Sequence, residues 1–359
     1  MKVGVPREIK DNENRVGLTP DGADRLVAHG HSVLVEYGAG FGCDFADGEY
    51  VAAGAVLVSA AEAWDAELVI KVKEPLESEY GFLKNQIVFT YFHLAGVDES
   101  LTTALVDAGT TAIAYETVED EGGRLPLLAP MSAVAGCMAP LMGSYYLAKF
   151  NQGRGMLVGE VMGEPYGKIV VVGDGVVGRH AAKVAGAMGA RAVVMFGRHV
   201  ERAEALAQSI LRLEYVLSTP ENLAVHLPDT DLLVGAVLIE GARAPRIVTD
   251  DMVRSMPGGS VIVDVSIDQG GCVATSRPTS HSDPVYTQHG VTHYCVTNMP
   301  GAYPRTSTFA LTAATLPYAL RIANGGLDVV LEDRNFAKGV NVHAGQIVCT
   351  AVADALGPE

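Results

Sequence analysis

Four ionisable residues stand where short β-forming runs end. Arg15 lies in the loop after Lys2–Pro6, Lys73 follows Glu67–Val72, His93 follows Gln86–Tyr91 and Asp268 follows Ser260–Val265. They comprise two fixed cations, one imidazole with an ordinary pKa of about 6.5, and one carboxylate. Taken singly, a histidine is more often structural and a lysine more often solvated. Taken together, at the strand ends where open α/β sheets bind ligands, they form a set able to hold a small anion and move a proton.

A second motif is Ile169–Gly178, IVVVGDGVVG. It is G-x-G-x-x-G directly after a β-branched strand and directly before an Ala-rich helix. Gly173 makes the tight turn, Gly175 lets a pyrophosphate approach the backbone, and Gly178 permits close helix–strand packing. Val176 and Val177 open a helix whose free N–H groups face the phosphates. An acid at the end of the following strand would normally hold the adenine ribose. Here the chain reads Met195-Phe196-Gly197-Arg198-His199, with no carboxylate and with Arg198 directly after Gly197. A guanidinium there can pair with a 2′-phosphate or stack on adenine, so NAD and NADP both stay open.

The elements that must position these residues alternate along the chain. Predicted strands are Lys2–Pro6, Ser32–Glu36, Glu67–Val72, Gln86–Tyr91 and Thr111–Tyr115. Predicted helices among them are Asp21–His29, Ala60–Trp64 and Glu99–Ala108, the first capped by Thr19 with Pro20 behind it. After the stretch Leu125–Pro130, a helix is expected over Ser132–Phe150. Strands follow at Lys168–Gly173, Arg191–Phe196, Asp231–Val237 and Ser260–Val265, with helices at Val176–Met188, Glu201–Leu211 and Phe309–Asn324 and another near the C-terminus. The alternation predicts an α/β fold of two doubly wound parallel-sheet domains, one a Rossmann dinucleotide-binding domain, with a cleft between them.

Composition agrees with this organisation. The chain has 359 residues, more than one ordinary core serves, and 48% of them are hydrophobic. Its formal charge of −16 argues against nucleic acid or an anionic membrane as a partner, though not against a local basic pocket. Five cysteines without a close pair argue against a zinc or disulfide framework, and no metal is expected. The N-terminus turns charged before a signal-length apolar run develops, and no apolar run is long enough to span a membrane. The expectation is a cytoplasmic protein.

Longer motifs carry a family resemblance. Asp11–Pro20 (DNENRVGLTP), Lys71–Pro75 (KVKEP), Thr90–Ala95 (TYFHLA), Ala112–Thr117 (AIAYET), Leu127–Gly136 (LLAPMSAVAG), Val265–Cys272 (VSIDQGGC) and Asn298–Leu311 (NMPGAYPRTSTFAL) resemble alanine dehydrogenase. The resemblance implies reversible oxidative deamination of L-alanine with NAD or NADP. It implies that Arg15 and Lys73 hold the substrate carboxylate and keto oxygen, that His93 is the general acid/base, and that Asp268 orients the amino group or shares proton transfer. Ser132 resembles the family's pyrophosphate contact, and Val237, Leu238 and Asn298 its nicotinamide-side lining. By the same analogy a catalytic domain spans 1–126 and 305–359 around a cofactor domain at 127–304, and the chain assembles as a homo-oligomer, often a hexamer in the family.

The chain departs from the family pattern at Ala133 and Cys137, where a charged pair is usual, and at Tyr303, where a smaller residue is common. Either the side chain accepted by the site differs, or a helix and an interface are repacked. A dehydrogenase for another small L-amino acid and a transhydrogenase-like dinucleotide-binding component remain alternatives.

Overall fold

The computed structural model describes residues 1–238 and 244–356. The chain divides into two compact units, Met1–Met131 with Gly301–Glu359, and Ser132–Pro300.

The first unit is built on an eight-stranded sheet. Its order is Gln346–Ile347, Val340–His343, Thr111–Ala114, Ile87–Thr90, Leu68–Ile70, Lys2–Val5, Ser32–Glu36, Val56–Val58. The last six are mutually parallel, whereas Val340–His343 runs antiparallel to Thr111–Ala114. Leu68–Ile70 and Thr111–Ala114 are buried at every position, as parallel strands covered on both faces must be. Strand order reverses between Lys2–Val5 and Leu68–Ile70. The segments leaving their carboxyl ends carry Arg15 and Lys73, so both lie at the topological switch point.

The second unit repeats the plan in seven strands: Leu213–Leu217, Ala192–Gly197, Lys168–Val172, Leu232–Gly235, Val261–Asp264, Val291–Tyr294, Val285–Gln288. Only the last pairing is antiparallel. Ile169 and Val171 face one core with Val193, Met195 and Val261, while Val170 and Val172 face another with Val194, Phe196 and Ile262. The reversal falls between Lys168–Val172 and Leu232–Gly235, whose exits carry Gly173–Gly178 and Val237–Leu238.

Several elements differ from the sequence expectation. Thr19 caps the first helix by accepting from the Gly22 N–H, with Pro20 at its first position, as expected. The helix expected at Ser132–Phe150 runs instead over Ala129–Tyr146, with Pro140 inside it, and a separate 3₁₀ turn covers Lys149–Asn151. The helix Pro304–Gly325 starts before the expected Phe309, because proline is well placed at a helix's first turn. Three hairpins were not expected. Their two-residue turns are Met162-Gly163, His289-Gly290 and Ala344-Gly345, all with positive φ, and each matches the right-handed twist of its strands.

One ionic cluster lies deep in the first unit. Lys71 is fully buried, with its ammonium 3.2 Å from Glu8 and 3.1 Å from Glu79. Burial alone lowers its pKa, but the two carboxylates more than offset this and leave it above the ordinary value. Lys71→Met, which fills the space without the charge, leaves two buried carboxylates uncompensated. It is expected to lower unfolding free energy by about 3–5 kcal/mol, read as a fall in the urea midpoint.

Candidate functional site

In the first unit, cations cluster at the switch point, each held from behind by a carboxylate. Arg15 is only 2% exposed. Its Nε and Nη2 donate to Glu13 at 2.7 and 2.5 Å, and Nη1 lies 3.0 Å from Met131 Sδ. Glu8, beyond its bond to Lys71, accepts from the Val72 N–H at 2.6 Å and the Lys73 N–H at 3.3 Å. It therefore fixes the backbone that presents the half-buried Lys73. Lys10 pairs with Glu74.

His93 leaves the strand Ile87–Thr90 in the left-handed region, φ 51°, an uncommon conformation for a residue with a Cβ. Two contacts hold it there. Glu116 accepts from the His93 N–H at 2.6 Å and from the Phe92 N–H at 3.3 Å, and the imidazole stacks on Tyr91 with centroids 5.6 Å apart. Tyr91 is itself tied by its hydroxyl to the Leu127 carbonyl. Desolvation, then the charges of Lys73, Lys10 and Arg15, hold the His93 imidazole below its ordinary pKa. Desolvation raises Glu116 to about 7 despite its backbone donors. The structure thus gathers Arg15, Lys73 and His93 within electrostatic reach of one another. Glu8, Glu13 and Glu116 were not singled out from sequence. Glu116 is the fifth residue of the AIAYET run, two positions past the strand Thr111–Ala114, and that position was the available signal.

The second unit holds the glycine turn. Gly173 has φ 119°, and a Cβ there would lie 2.2 Å from the Ala236 carbonyl oxygen. A Cβ on Gly178 would lie 1.9 Å from the Gly173 oxygen, so helix Val176–Ala187 packs onto the strand only through glycine. Gly175 is the opposite case, since a Cβ there would meet no atom within 4 Å. No side chain caps this helix. The turn therefore presents uncapped N–H groups at Val176 and Val177 beside open space, a fit for a pyrophosphate. Gly136 packs against the Val177 carbonyl, where a Cβ would come within 2.4 Å, and Ser132 lies one turn earlier on the same helix.

Gly197 is buried at the end of its strand, and Arg198 beyond it is exposed. The Val237 N–H donates to Ser266 Oγ at 2.9 Å, and Leu238 is exposed beside it. Asn298 has φ 64°, with its carbonyl 3.2 Å from His281 Nε2. Asp268 is exposed on the 3₁₀ turn Val265–Gln269. That turn hangs on Asp264, whose buried carboxylate accepts from the Ser266, Cys272 and Val273 N–H groups at 3.1, 3.0 and 3.2 Å and from Ser276 Oγ at 2.7 Å.

Comparison with known proteins gives the family. The family models "Alanine dehydrogenase/PNT, N-terminal domain" and "C-terminal domain" match residues 4–135 and 139–350. An alanine dehydrogenase of Staphylococcus epidermidis is 49% identical over 99% of this chain and 96% of its own length. The chain belongs to the alanine dehydrogenase/PNT family. A solved L-alanine dehydrogenase superposes with a TM-score of 0.94 at 49% identity, covering 99% of both chains. A transhydrogenase from Sinorhizobium meliloti superposes with 0.84 at 25% identity, covering 97% of this chain and all of its own.

Within this alanine dehydrogenase/PNT chain, Cys137 lies with its sulfur 3.8 Å from His180 Nδ1, beside the Gly136–Val177 approach, and so belongs to helix–helix packing. Tyr303 is 44% exposed at the start of helix Pro304–Gly325. All five cysteines are unpaired. Among the described residues no group of side chains could hold a metal ion, and no helix is long and apolar enough to cross a membrane.

The dependence of the Asp268 turn on Asp264 is testable. Asp264→Asn puts an amide N–H against N–H donors and is expected to cost about 2–3 kcal/mol. Hydrogen exchange of the amides at 265–273 should speed up by about tenfold or more while exchange in Lys168–Val172 stays slow.

Proposed function

We propose that this chain is an L-alanine dehydrogenase, interconverting L-alanine, water and an oxidised nicotinamide dinucleotide with pyruvate, ammonium, the reduced dinucleotide and a proton. The observation that carries the reading is the cationic cluster of Arg15, Lys73 and His93 at one switch point, in a chain that also holds an open glycine turn at a second. A 2-keto acid needs fixed positive charge, and Arg15, braced by Glu13, and Lys73, braced through Glu8, supply it for the carboxylate and the keto oxygen. His93 enters as the neutral imidazole. It takes the hydroxyl proton as the carbinolamine, its amino group already protonated, collapses to ketone and ammonia, and returns that proton to the oxygen in the reverse direction. Asp268 draws and orients the amino group. The bound nicotinamide ring supplies hydride acceptance and donation at the α-carbon.

Residues 173–178 with Ser132 hold the pyrophosphate, and Val237, Leu238 and Asn298 line the nicotinamide side. Arg198, exposed directly after Gly197, is of the type that pairs with a 2′-phosphate, so both NAD and NADP stay open. By family analogy the substrate-binding domain is 1–126 with 305–359 and the cofactor domain 127–304. The protein works in the cytoplasm as a homo-oligomer, a hexamer by family analogy. The likeness to alanine dehydrogenase at 49% identity outweighs that to the transhydrogenase at 25%.

Steady-state turnover of a panel of 2-keto acids with ammonium tests the substrate, and pyruvate is expected to give the highest kcat/KM. A larger keto acid outperforming pyruvate would replace alanine as the substrate, and no hydride transfer with any of them would favour a dinucleotide-binding component. His93→Ala should lower kcat by on the order of 10²–10⁴ while sparing dinucleotide affinity.

The pH profile gives an independent check. As a base His93 is active above its pKa and silenced as pH falls through it. In the free enzyme that pKa is depressed, so the acid limb of kcat/KM should lie below pH 6.5. A bound substrate carboxylate offsets the neighbouring cations, so the limb of kcat should lie at higher pH than that of kcat/KM. Coincident limbs would contradict the electrostatic assignment.

A further inference from the structure

The end of strand Ala192–Gly197 lacks the acid that would read the adenosine ribose, yet the place is not empty. A Cβ built on Gly197 would come within 2.1 Å of the Tyr215 hydroxyl oxygen and 2.7 Å of Asp174 Cγ. Where a side chain of this strand would begin, two groups from other elements already stand. Tyr215 comes from the neighbouring strand Leu213–Leu217, paired opposite Met195. Asp174 comes from the glycine turn itself, between Gly173 and Gly175.

The two are joined. The Tyr215 hydroxyl donates to Asp174 Oδ2 at 2.8 Å and accepts from the His199 N–H at 3.0 Å. The tyrosine thus pins both the carboxylate and the backbone just past Arg198. Arg202 Nη1 lies 3.8 Å from the same Oδ2, and the Asp174 side chain keeps 13% of its surface open. A braced, partly exposed carboxylate at the lip of a dinucleotide turn has defined chemistry. It accepts from vicinal ribose hydroxyls and repels a phosphate ester at the same position.

We propose that Asp174, braced by Tyr215, replaces the missing strand-end acid as the group that reads the adenosine ribose, and that it makes the site prefer NAD over NADP. The inference rests on dinucleotide binding at this turn. Arg198 and Arg202 act in the opposite sense, attracting a 2′-phosphate, and selectivity is the difference between the carboxylate and these two cations. Gly197 is required by the arrangement. Any larger residue there would displace Tyr215 or Asp174.

The test is a titration of the full-length protein with NADH and with NADPH, followed by nicotinamide fluorescence, without substrate. The unsubstituted protein should bind NADH more tightly. Asp174→Asn keeps the shape and the tyrosine bond but removes the charge. It should weaken NADH and strengthen NADPH, so that the ratio of their Kd values moves toward NADPH by about tenfold or more. Tyr215→Phe keeps the charge but frees the carboxylate, and should move the ratio the same way by about threefold. Arg198→Ala should weaken NADPH more than NADH.

A ratio unchanged within about twofold in Asp174→Asn, or equal weakening of both dinucleotides, would overturn the proposal while leaving dinucleotide binding intact. A preference of the unsubstituted protein for NADPH would overturn it as well. Failure of the unsubstituted protein to bind either dinucleotide would overturn both this inference and the functional reading beneath it.

Discussion

Keeping positive charge in place without cancelling it is the constraint on which the first unit depends. Three cations and an imidazole at one switch point repel one another and lose hydration as they are buried. Counter-charges must stand close enough to offset this, yet leave room for the anion the cations serve. The structure meets both demands by approaching from behind. Glu13 takes the Nε edge of Arg15, Glu8 divides itself between Lys71 and the backbone N–H groups that present Lys73, and Glu116 binds the backbone of His93. At Lys73 and His93 the carboxylate grips the backbone N–H, which positions the residue and leaves its side chain available, whereas Glu13 pairs with the Arg15 guanidinium itself.

The left-handed backbone at His93 follows from the same economy. A Cβ-bearing residue at φ 51° is held there by two hydrogen bonds into Glu116 and by the ring of Tyr91. The second unit solves its own problem with fewer charges. Its proposed anion cradle is uncapped backbone N–H at a helix start, with open space beside Gly175. One of its carboxylates, Asp264, is structural and gathers the donors of a whole turn, while Asp174 is braced by a phenol. Both units thus use buried carboxylates as organisers of backbone, a role that spacing in the sequence does not announce.

That difference explains what could be read from residues alone. The central strands were legible because strands such as Lys168–Val172 are buried on both faces and must be continuously apolar. Strand ends then located Arg15, Lys73, His93 and Asp268 without any structure. The hairpins escaped because their turns are Met-Gly, His-Gly and Ala-Gly rather than the Asn-Gly or Asp-Gly that usually signals positive φ at both positions. Glu8 and Glu116 escaped because their partners are N–H groups 64 and 23 residues away, brought near only by parallel pairing. Arg15 was legible as a cation but not as one buried against Glu13. Asp174 was not legible because sequence places it in the glycine turn, and only the folded sheet brings it and Tyr215 against Gly197.

A chain of net charge −16 that binds carboxylates and phosphates would seem to work against its own field. Distance and exposure resolve this. Charges spread over the surface are screened beyond about 8–10 Å at ordinary ionic strength, whereas groups in contact inside a partly dry site are not. Several of the carboxylates nearest the cations are, moreover, largely committed: Glu8, Glu13 and Glu116 are bonded to N–H groups or guanidinium, and burial pushes Glu8 and Glu116 above the usual carboxylate range. What an incoming anion meets is the sum over a few ångströms, set by Arg15, Lys73 and Lys10, and not the sum over the molecule. The same reasoning makes the adenosine end sensitive. There one carboxylate, Asp174, stands with Arg202 3.8 Å away and Arg198 on the neighbouring loop, so removing the one negative charge changes the local balance far more than the overall −16 can.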